Sequence, residues 1–364
     1  MNVHEIPTPA ILVDDAVVNR NIRNLTEYAK QHRIDLRPHT KTHKSLEMAR
    51  RQIEAGAVGL TVAKAGEADV MVAETDDLMV AYPALDAPRC QKLAHLAAGK
   101  TVRVAVDSIM AIDALASAAA AAEVTLGILV EIDAGFHRTG VQSASEALAL
   151  AEQIDRARGV RLDGLMFFPG QINDPPEQQL DALGIISEQL NEIIGLWSSH
   201  GLEAAIVSGG STPTAYQSHR IPALTEMRPG TYLYNDMDTV HSQACSLDDC
   251  AARLVCTVVS TAVPGQAVID AGSKALTSDQ ANWDPQGGGY GYVVEHPEAK
   301  ITRLSEEHGV IDVSTCENPP KLGDRVHVIP NHICPCINLQ DFFWLHTEDG
   351  SVHKLPVDTR GRLS

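Results

Sequence analysis

Along the first two-thirds of the chain, short runs of β-branched and aliphatic residues alternate with longer stretches whose apolar positions recur every three or four residues. Residues 45–55, for example, place Leu46, Ala49 and Ile53 on one helical face. Ser45 and Ser108 stand where a capping hydroxyl begins such a helix. Eight strand-like runs fall at residues 34–37, 58–62, 78–81, 102–106, 126–132, 162–167, 204–207 and 225–227. Alternation of this kind predicts parallel strands joined by crossover helices. Eight units specify the α/β fold class as a closed (β/α)8 TIM-type barrel. An open doubly wound sheet is the competing architecture, but residues 38–44, after the first strand, hold no glycine-rich dinucleotide turn.

After Asn235 the pattern changes. Residues 254–262, 267–270, 291–294, 309–313, 325–329 and 342–346 are short, strand-like and separated by Pro or Gly turns. They predict a C-terminal all-β domain. Residues 10–13 form a further strand before a helix at residues 15–31, and this strand is expected to join the β domain. The expected division is therefore 14–238 for the barrel, with 1–13 and 239–364 as the β domain.

Length agrees with two domains, since 364 residues exceed the roughly 250–300 at which a single core stops growing. Against 29 Lys and Arg stand 47 Asp and Glu, a net charge of -18. That balance argues against a sequence-independent grip on nucleic acid or an anionic membrane and favours small-molecule chemistry. The most apolar stretch, residues 111–130, is mostly Ala and is interrupted by Asp113 and Glu123, so it reads as helix then strand and no membrane span is expected. The opening Met1-Asn-Val-His-Glu-Ile-Pro7 lacks a basic start and an apolar stretch. The seven cysteines (Cys90, Cys245, Cys250, Cys256, Cys316, Cys334 and Cys336) are scattered, without zinc-ribbon spacing. Both features point to a reducing, cytoplasmic setting in which most thiols are small buried side chains.

Barrels of this type carry their sites at the C-terminal ends of the strands. There this chain places Pro38 to Lys44, Asp133 to Arg138, Phe168 to Gln171, Ser208 to Thr212 and Arg228 to Tyr232. Gly209 and Gly210 allow close backbone approach, Ser211 and Thr212 add hydroxyls, and Pro213 suits the first turn of a helix: together a phosphate loop. Gly230 and Thr231, after the eighth strand, add donors where such barrels commonly bind phosphate. Lys41 lies among Arg37, His39, His43 and Lys44, and a cluster of cations depresses a lysine pKa and favours Schiff-base chemistry. A carbonyl cofactor bearing a phosphate, pyridoxal phosphate, needs such a lysine and such a loop.

Four motifs together, Arg37-Pro-His-Thr-Lys-Thr-His-Lys44, Glu131-Ile-Asp-Ala-Gly-Phe-His-Arg138, Ser208-Gly-Gly-Ser-Thr-Pro-Thr214 and Pro330-Asn-His-Ile-Cys334, resemble the D-serine dehydratase and D-threonine aldolase family of pyridoxal phosphate enzymes. That family has the alanine-racemase fold, fold type III. The resemblance implies that Lys41 carries the aldimine, that Gly209, Gly210, Ser211, Thr212, Gly230 and Thr231 surround the phosphate, and that Arg138 and Arg228 lie near the ring. His39 and Tyr232 complete the expected cofactor set. His332 and Cys334 are read as two ligands on one side of an extended segment. By the resemblance they hold a divalent ion at the substrate's β-hydroxyl, best Zn²⁺, with Mn²⁺ or Mg²⁺ as alternatives. Phe168 stands where many relatives have a tyrosine. A cysteine as last ligand favours elimination, and an aspartate retro-aldol cleavage. The expected activity is thus that of a lyase on a β-hydroxy-D-amino acid, first D-serine or D-threonine dehydration to a 2-oxo acid and ammonia. D-threonine aldolase is the alternative, an amino-acid racemase a more distant one. The fold implies a homodimer.

Overall fold

The computed structural model describes residues 2–281, 283–284 and 287–364. Its first elements are β1 (Ala10–Asp14), α1 (Asp15–His32), β2 (Asp35–Leu36), α2 (Leu46–Glu54), β3 (Leu60–Val62), α3 (Ala65–Met71), β4 (Asp77–Val80) and α4 (Ala87–Ala97). The series continues with β5 (Thr101–Val106), α5 (Ile109–Ala121), β6 (Leu126–Ile132), α6 (Ala144–Arg156), β7 (Val160–Phe167), α7 (Leu180–Ser199), β8 (Ile206–Gly209) and β9 (Glu226–Met227). Strands β2 to β9 form one parallel sheet in the order β2-β9-β8-β7-β6-β5-β4-β3. Backbone bonds from Val58 N–H to Leu36 O (2.9 Å), Thr61 N–H to Pro38 O (2.8 Å) and Thr40 N–H to Thr61 O (2.8 Å) join its two edges and close the barrel.

All eight expected strands are present, with ends shifted by a residue or two. Ser108 caps α5 by accepting from the Ala111 N–H, and α5 followed by β6 accounts for the Ala-rich stretch. No helix among the described residues is long and apolar enough to cross a membrane. Two local expectations fail. The buried Ser45 Oγ has no hydrogen-bond partner among the described residues, so Ser45 does not cap α2. The crossover from β8 to β9 is a 3-10 turn, Ala215–Arg220, because Ser211 to Thr214 spend their polar groups on a tight turn of their own.

The remaining elements are α8 (Met237–His241), β10 (Ala252–Ser260), β11 (Gln266–Ile269), α9 (Ser273–Leu276), β12 (Tyr292–Val293), β13 (Lys300–Leu304), β14 (Gly309–Asp312), β15 (Arg325–Ile329), α10 (Ile333–Asn338), β16 (Phe342–His346) and β17 (Val352–Pro356). Their sheet runs β13-β14-β11-β10-β1-β16-β17, with β15 on β10 and β12 on β15. β1 lies antiparallel to β10 and parallel to β16, so the chain starts in the β unit, leaves it and returns. β13 and β17 were not anticipated, because most of their residues are exposed or half-buried and present no apolar run.

Two compact units result: residues 1–22, 42–45 and 231–360, and residues 23–41, 46–230 and 361–364. The β unit therefore takes residues 14–22, 42–45 and 231–238, which the expected division gave to the barrel. The reason is visible at α1, where Arg20 pairs with Asp249 (3.1 Å) and Asn21 Nδ2 donates to Leu233 O and Asp249 O.

Inside the barrel unit, apolar layers such as Met79, Ala105, Leu129 and Met166 give way to a chain of charges that is buried at Arg37, Glu226 and Asp163 and reaches the surface at Arg161. Arg37 Nε donates to both Glu226 oxygens (3.0 and 2.9 Å) and its Nη1 to Asp77 Oδ1 (2.7 Å). Arg103 links Asp77 to Asp163, and Arg161 closes on Asp163 at 2.6 Å. Gly59 and Gly127 leave the space: a β-carbon there would overlap the Arg37 guanidinium or the Asp163 carboxylate. Gly209 is similarly constrained, since a β-carbon would enter the Phe167 ring. Gly209→Ala is expected to destabilise the protein by about 1–3 kcal/mol through overpacking. Urea unfolding measures this, and an unchanged midpoint would mean that the ring moves aside freely.

Candidate active site

Lys41 follows β2 through an irregular stretch held by the closing bonds of the barrel. It is half-buried; its N–H lies 3.4 Å from His39 Nδ1 and its Nζ 5.7 Å from the centre of the Phe168 ring. Arg138 lies over the same ring at 4.8 Å and beside Phe136 at 5.2 Å, and the two phenyl rings meet edge to face. The basic cluster expected to depress the Lys41 pKa does not form as read: the extended backbone turns Arg37 into the barrel, where two carboxylates neutralise it. Phe168, in place of the tyrosine, supplies an apolar face to Lys41 and Arg138 and no hydroxyl.

The loop that carries Arg138 is organised by Asp133. Its carboxylate accepts from Gly135 N–H (3.0 Å), His137 N–H (2.9 Å) and Gln142 Nε2 (3.0 Å), and contacts His137 Nδ1 at 2.6 Å. Burial alone would raise its pKa, but these donors outweigh burial and lower it to about 2.

At the end of β8, Gly210 takes φ +86°, a conformation open to glycine. Ser211 N–H donates to Thr214 Oγ1 (3.1 Å), and the two hydroxyls are 3.1 Å apart. Thr214 is thus part of the loop, a role signalled by the Ser-x-x-Thr spacing but not assigned from sequence. Ser208, Gly209, Gly210, Ser211, Thr212 and Gly230 are all buried.

Behind this loop lies Arg228, buried and held on two sides. Nη1 donates to Ser208 Oγ (2.6 Å), Nη2 to Phe167 O (2.9 Å), and Ser208 Oγ in turn donates to Glu226 Oε1 (2.6 Å). Burial lowers the Arg228 pKa to about 10, against Glu226 and Glu131, which raise it. Its Nε is buried with no acceptor among the described residues. Such an unmet donor is what an acceptor nitrogen or anion of a bound ring would satisfy, so the residues fit pyridoxal phosphate. Sequence reading missed Glu226, since one acidic residue in a strand carries no motif.

In the β unit the expected extended segment at His332 to Cys334 is corrected. His332 is extended and stands at the N-cap, but Cys334 lies in the first turn of α10, where Pro335 is sterically tolerated. The two side chains are still electrostatically coupled. Asp236 organises them: Oδ1 accepts Thr239 N–H in α8, and Oδ2 accepts Ile333 N–H (3.0 Å) and lies 3.3 Å from His332 Nδ1. The negative Cys334 sulfur pushes the His332 pKa up to about 12; burial opposes this and Asp236 adds to it. Burial, then Asp236, raises Asp238 to about 6. Cys334 Sγ lies 3.1 Å from Thr42 Oγ1, the residue after Lys41, and 3.7 Å from Thr231 Oγ1. Thr231, expected at the phosphate, therefore has its hydroxyl beside the cysteine, and Tyr232 is buried next to it in sequence.

Among the described residues no group of three or more His, Cys, Asp and Glu side chains is arranged to hold a metal. His332 and Cys334 offer one nitrogen and one sulfur as candidate ligands. Asp236 beside Nδ1 leaves Nε2 as the ring nitrogen open to a ligand, an arrangement like the carboxylate–histidine pairs found behind metals.

Residues 13–238 match the alanine racemase N-terminal domain and residues 251–346 the putative serine dehydratase domain. A 3-hydroxy-D-aspartate aldolase of Paracoccus denitrificans is 30% identical over 375 residues, covering 100% of this chain and 94% of that protein. The chain belongs to the D-serine dehydratase and D-threonine aldolase family of fold-type III pyridoxal phosphate enzymes. Within this family, the crystal structure of D-threonine aldolase from Filomicrobium marinum superposes with a TM-score of 0.92 at 29% identity, covering 100% of this chain and 98% of that one. A D-threo-3-hydroxyaspartate dehydratase whose cysteine is replaced by alanine, in the metal-free form, gives a TM-score of 0.90 at 28% identity, over 98% of each chain. Family membership makes the chain a lyase.

Asp133 offers a pH test. Its pKa in the folded protein lies below the usual 3.8, so its stabilisation is complete above about pH 4 and is lost as pH falls towards about 2. Acid unfolding of wild type and Asp133→Asn should show a stability gap at pH 6, about 1.5–3 kcal/mol for bonds to a charged group, that closes over this window. A gap independent of pH would contradict the assignment.

Proposed function

We propose that this lyase uses pyridoxal phosphate and a divalent metal, best Zn²⁺, to remove water and then ammonia from a β-hydroxy-D-amino acid. The observation that carries this reading is the His332 and Cys334 pair backed by Asp236, a soft two-ligand set suited to zinc. The relative in metal-free form after loss of a cysteine is itself named a dehydratase, which supports Cys334 as the ligand. When bound, the cofactor supplies an electron sink for charge at Cα, and the metal a Lewis acid for the β-hydroxyl.

The residues of this chain have distinct tasks in that reading. Lys41 Nζ holds the cofactor carbonyl and moves the Cα proton. Arg228, whose Nε is buried without an acceptor, would hold the ring of the cofactor through that donor and, as a cation, would disfavour protonation of a ring nitrogen. Gly209, Gly210, Ser211, Thr212 and Gly230 bind the phosphate, with Thr214 fixing Ser211. Phe168 and Phe136 give Arg138 an apolar support that limits water. Asp236 fixes the tautomer of His332.

Retro-aldol cleavage is the second reading, favoured by the aldolases among the similar proteins. D-serine, D-threonine and D-threo-3-hydroxyaspartate should be supplied in parallel, with 2-oxo acid, glycine and aldehyde measured together. Elimination predicts oxo acid and ammonia with little glycine. Glycine as the main product would replace this reading with the aldolase one. In the same preparation, borohydride should fix a pyridoxyl group on Lys41; a label on Lys44 or Lys64 would overturn the cofactor assignment.

A further inference from the structure

Two imidazoles and a phenol that the proposed reaction does not use gather where α1 meets the 3-10 turn Ala215–Arg220. Tyr28 Oη accepts the His219 backbone N–H (3.2 Å) and lies 2.7 Å from His219 Nδ1. Its one proton is thus free for Nδ1, which accepts it when the ring is neutral. His32, one helical turn after Tyr28, stacks on His219 with ring centres 4.4 Å apart and planes 18° from parallel. Tyr28, His32 and His219 are all half-buried. The turn is continuous with the phosphate loop. Ala215 N–H donates to Thr212 O (3.2 Å), while Gln217 N–H (2.9 Å) and Ser218 Oγ (3.3 Å) both donate to Thr214 O. Tyr28 therefore ties loop and turn to α1 through the backbone and the ring of one residue.

We propose that Tyr28, His32 and His219 form a proton-operated latch: neutral imidazoles hold the turn, and with it the phosphate loop, against α1, and protonation releases them. Burial, then His32 and Arg220, lower the His219 pKa below its ordinary 6.5. Arg220 also acts on Tyr28. Helix α7 packs on the turn as well, but its carboxylates Asp181, Glu188 and Glu192 are exposed and none acts on His219. Acid would therefore bring His32, His219 and Arg220 together as cations with no carboxylate to offset them, two of them face to face. Because the released imidazole binds a proton more readily than the latched one, closure is favoured fully above about pH 6.5 and lost as pH falls below it. That the released loop is the one holding the cofactor rests on the function proposed above.

The test follows hydrogen–deuterium exchange of residues 211–224 in the holoenzyme, as protection relative to the free peptide, at about pH 8 and pH 5.5. Wild-type protection at the His219 amide should fall severalfold on acidification, with about tenfold as the limit for one histidine taken one pH unit below its ordinary pKa. His32→Gln removes the stacked charge and should stay protected at both pH values. Tyr28→Phe removes the acceptor and should exchange fast at both. Wild-type protection that ignores pH would overturn the proposal, as would an acid loss in His32→Gln equal to that of wild type. Release of pyridoxal phosphate, followed in the same samples, should accelerate with acid more in wild type than in His32→Gln. Equal release from the two proteins beside the expected exchange difference would leave the latch standing and overturn the placement of the cofactor phosphate on this loop.

Discussion

Glu226 is a buried carboxylate on the shortest of the late barrel strands, and the candidate cofactor site depends on the two arginines it anchors. It takes Arg37 directly, through both oxygens, and Arg228 through the hydroxyl of Ser208. A buried charge of this kind is tolerated only when fully paired, and removing one partner typically costs about 3–5 kcal/mol. Arg37 begins the stretch that ends in Lys41, and Arg228 offers an unmet donor at Nε. One carboxylate thus sets the backbone entry to Lys41, the candidate reactive lysine, and the position of Arg228.

Asp236 does the corresponding work in the β unit. A single buried side chain caps α8, closes the start of α10 and fixes His332. Its two oxygens point to different helices, so the position of the His332 imidazole is determined by two backbone segments rather than by one flexible side chain. In both units a carboxylate outside every motif orients the residue that belongs to one. Charge buried for position rather than for reaction is a common way to preorganise a site.

The barrel and its strand order were legible because eight β-branched runs at regular spacing have few other solutions. Lys41, Arg138, the Ser208 to Thr214 loop and the His332 and Cys334 pair stood out as candidates, since each lies in a compact motif. Glu226, Asp236 and Thr214 were not legible in their roles: their partners are in most cases far along the chain, and no local pattern announces a contact across a barrel. The helical setting of Cys334 was missed because Pro335 reads as a helix breaker, although the first turn accommodates it. Arg37 was misread as a free cation near Lys41, because sequence adjacency says nothing about which face of a strand a side chain takes. The edge strands β13 and β17 escaped for the opposite reason to the barrel strands: exposure removes the apolar run that marks a strand.

The most direct test is the pyridoxal phosphate dissociation constant of Ser208→Ala. This variant cuts the link between Glu226 and Arg228 and leaves the Arg37 pair intact. A hydrogen bond to a charged group contributes about 1.5–3 kcal/mol, so affinity should fall by about tenfold or more while the far-ultraviolet spectrum stays native. Wild-type affinity in a folded Ser208→Ala protein would show that Arg228 holds its place without Glu226, and would contradict the dependence of the cofactor site on that one carboxylate.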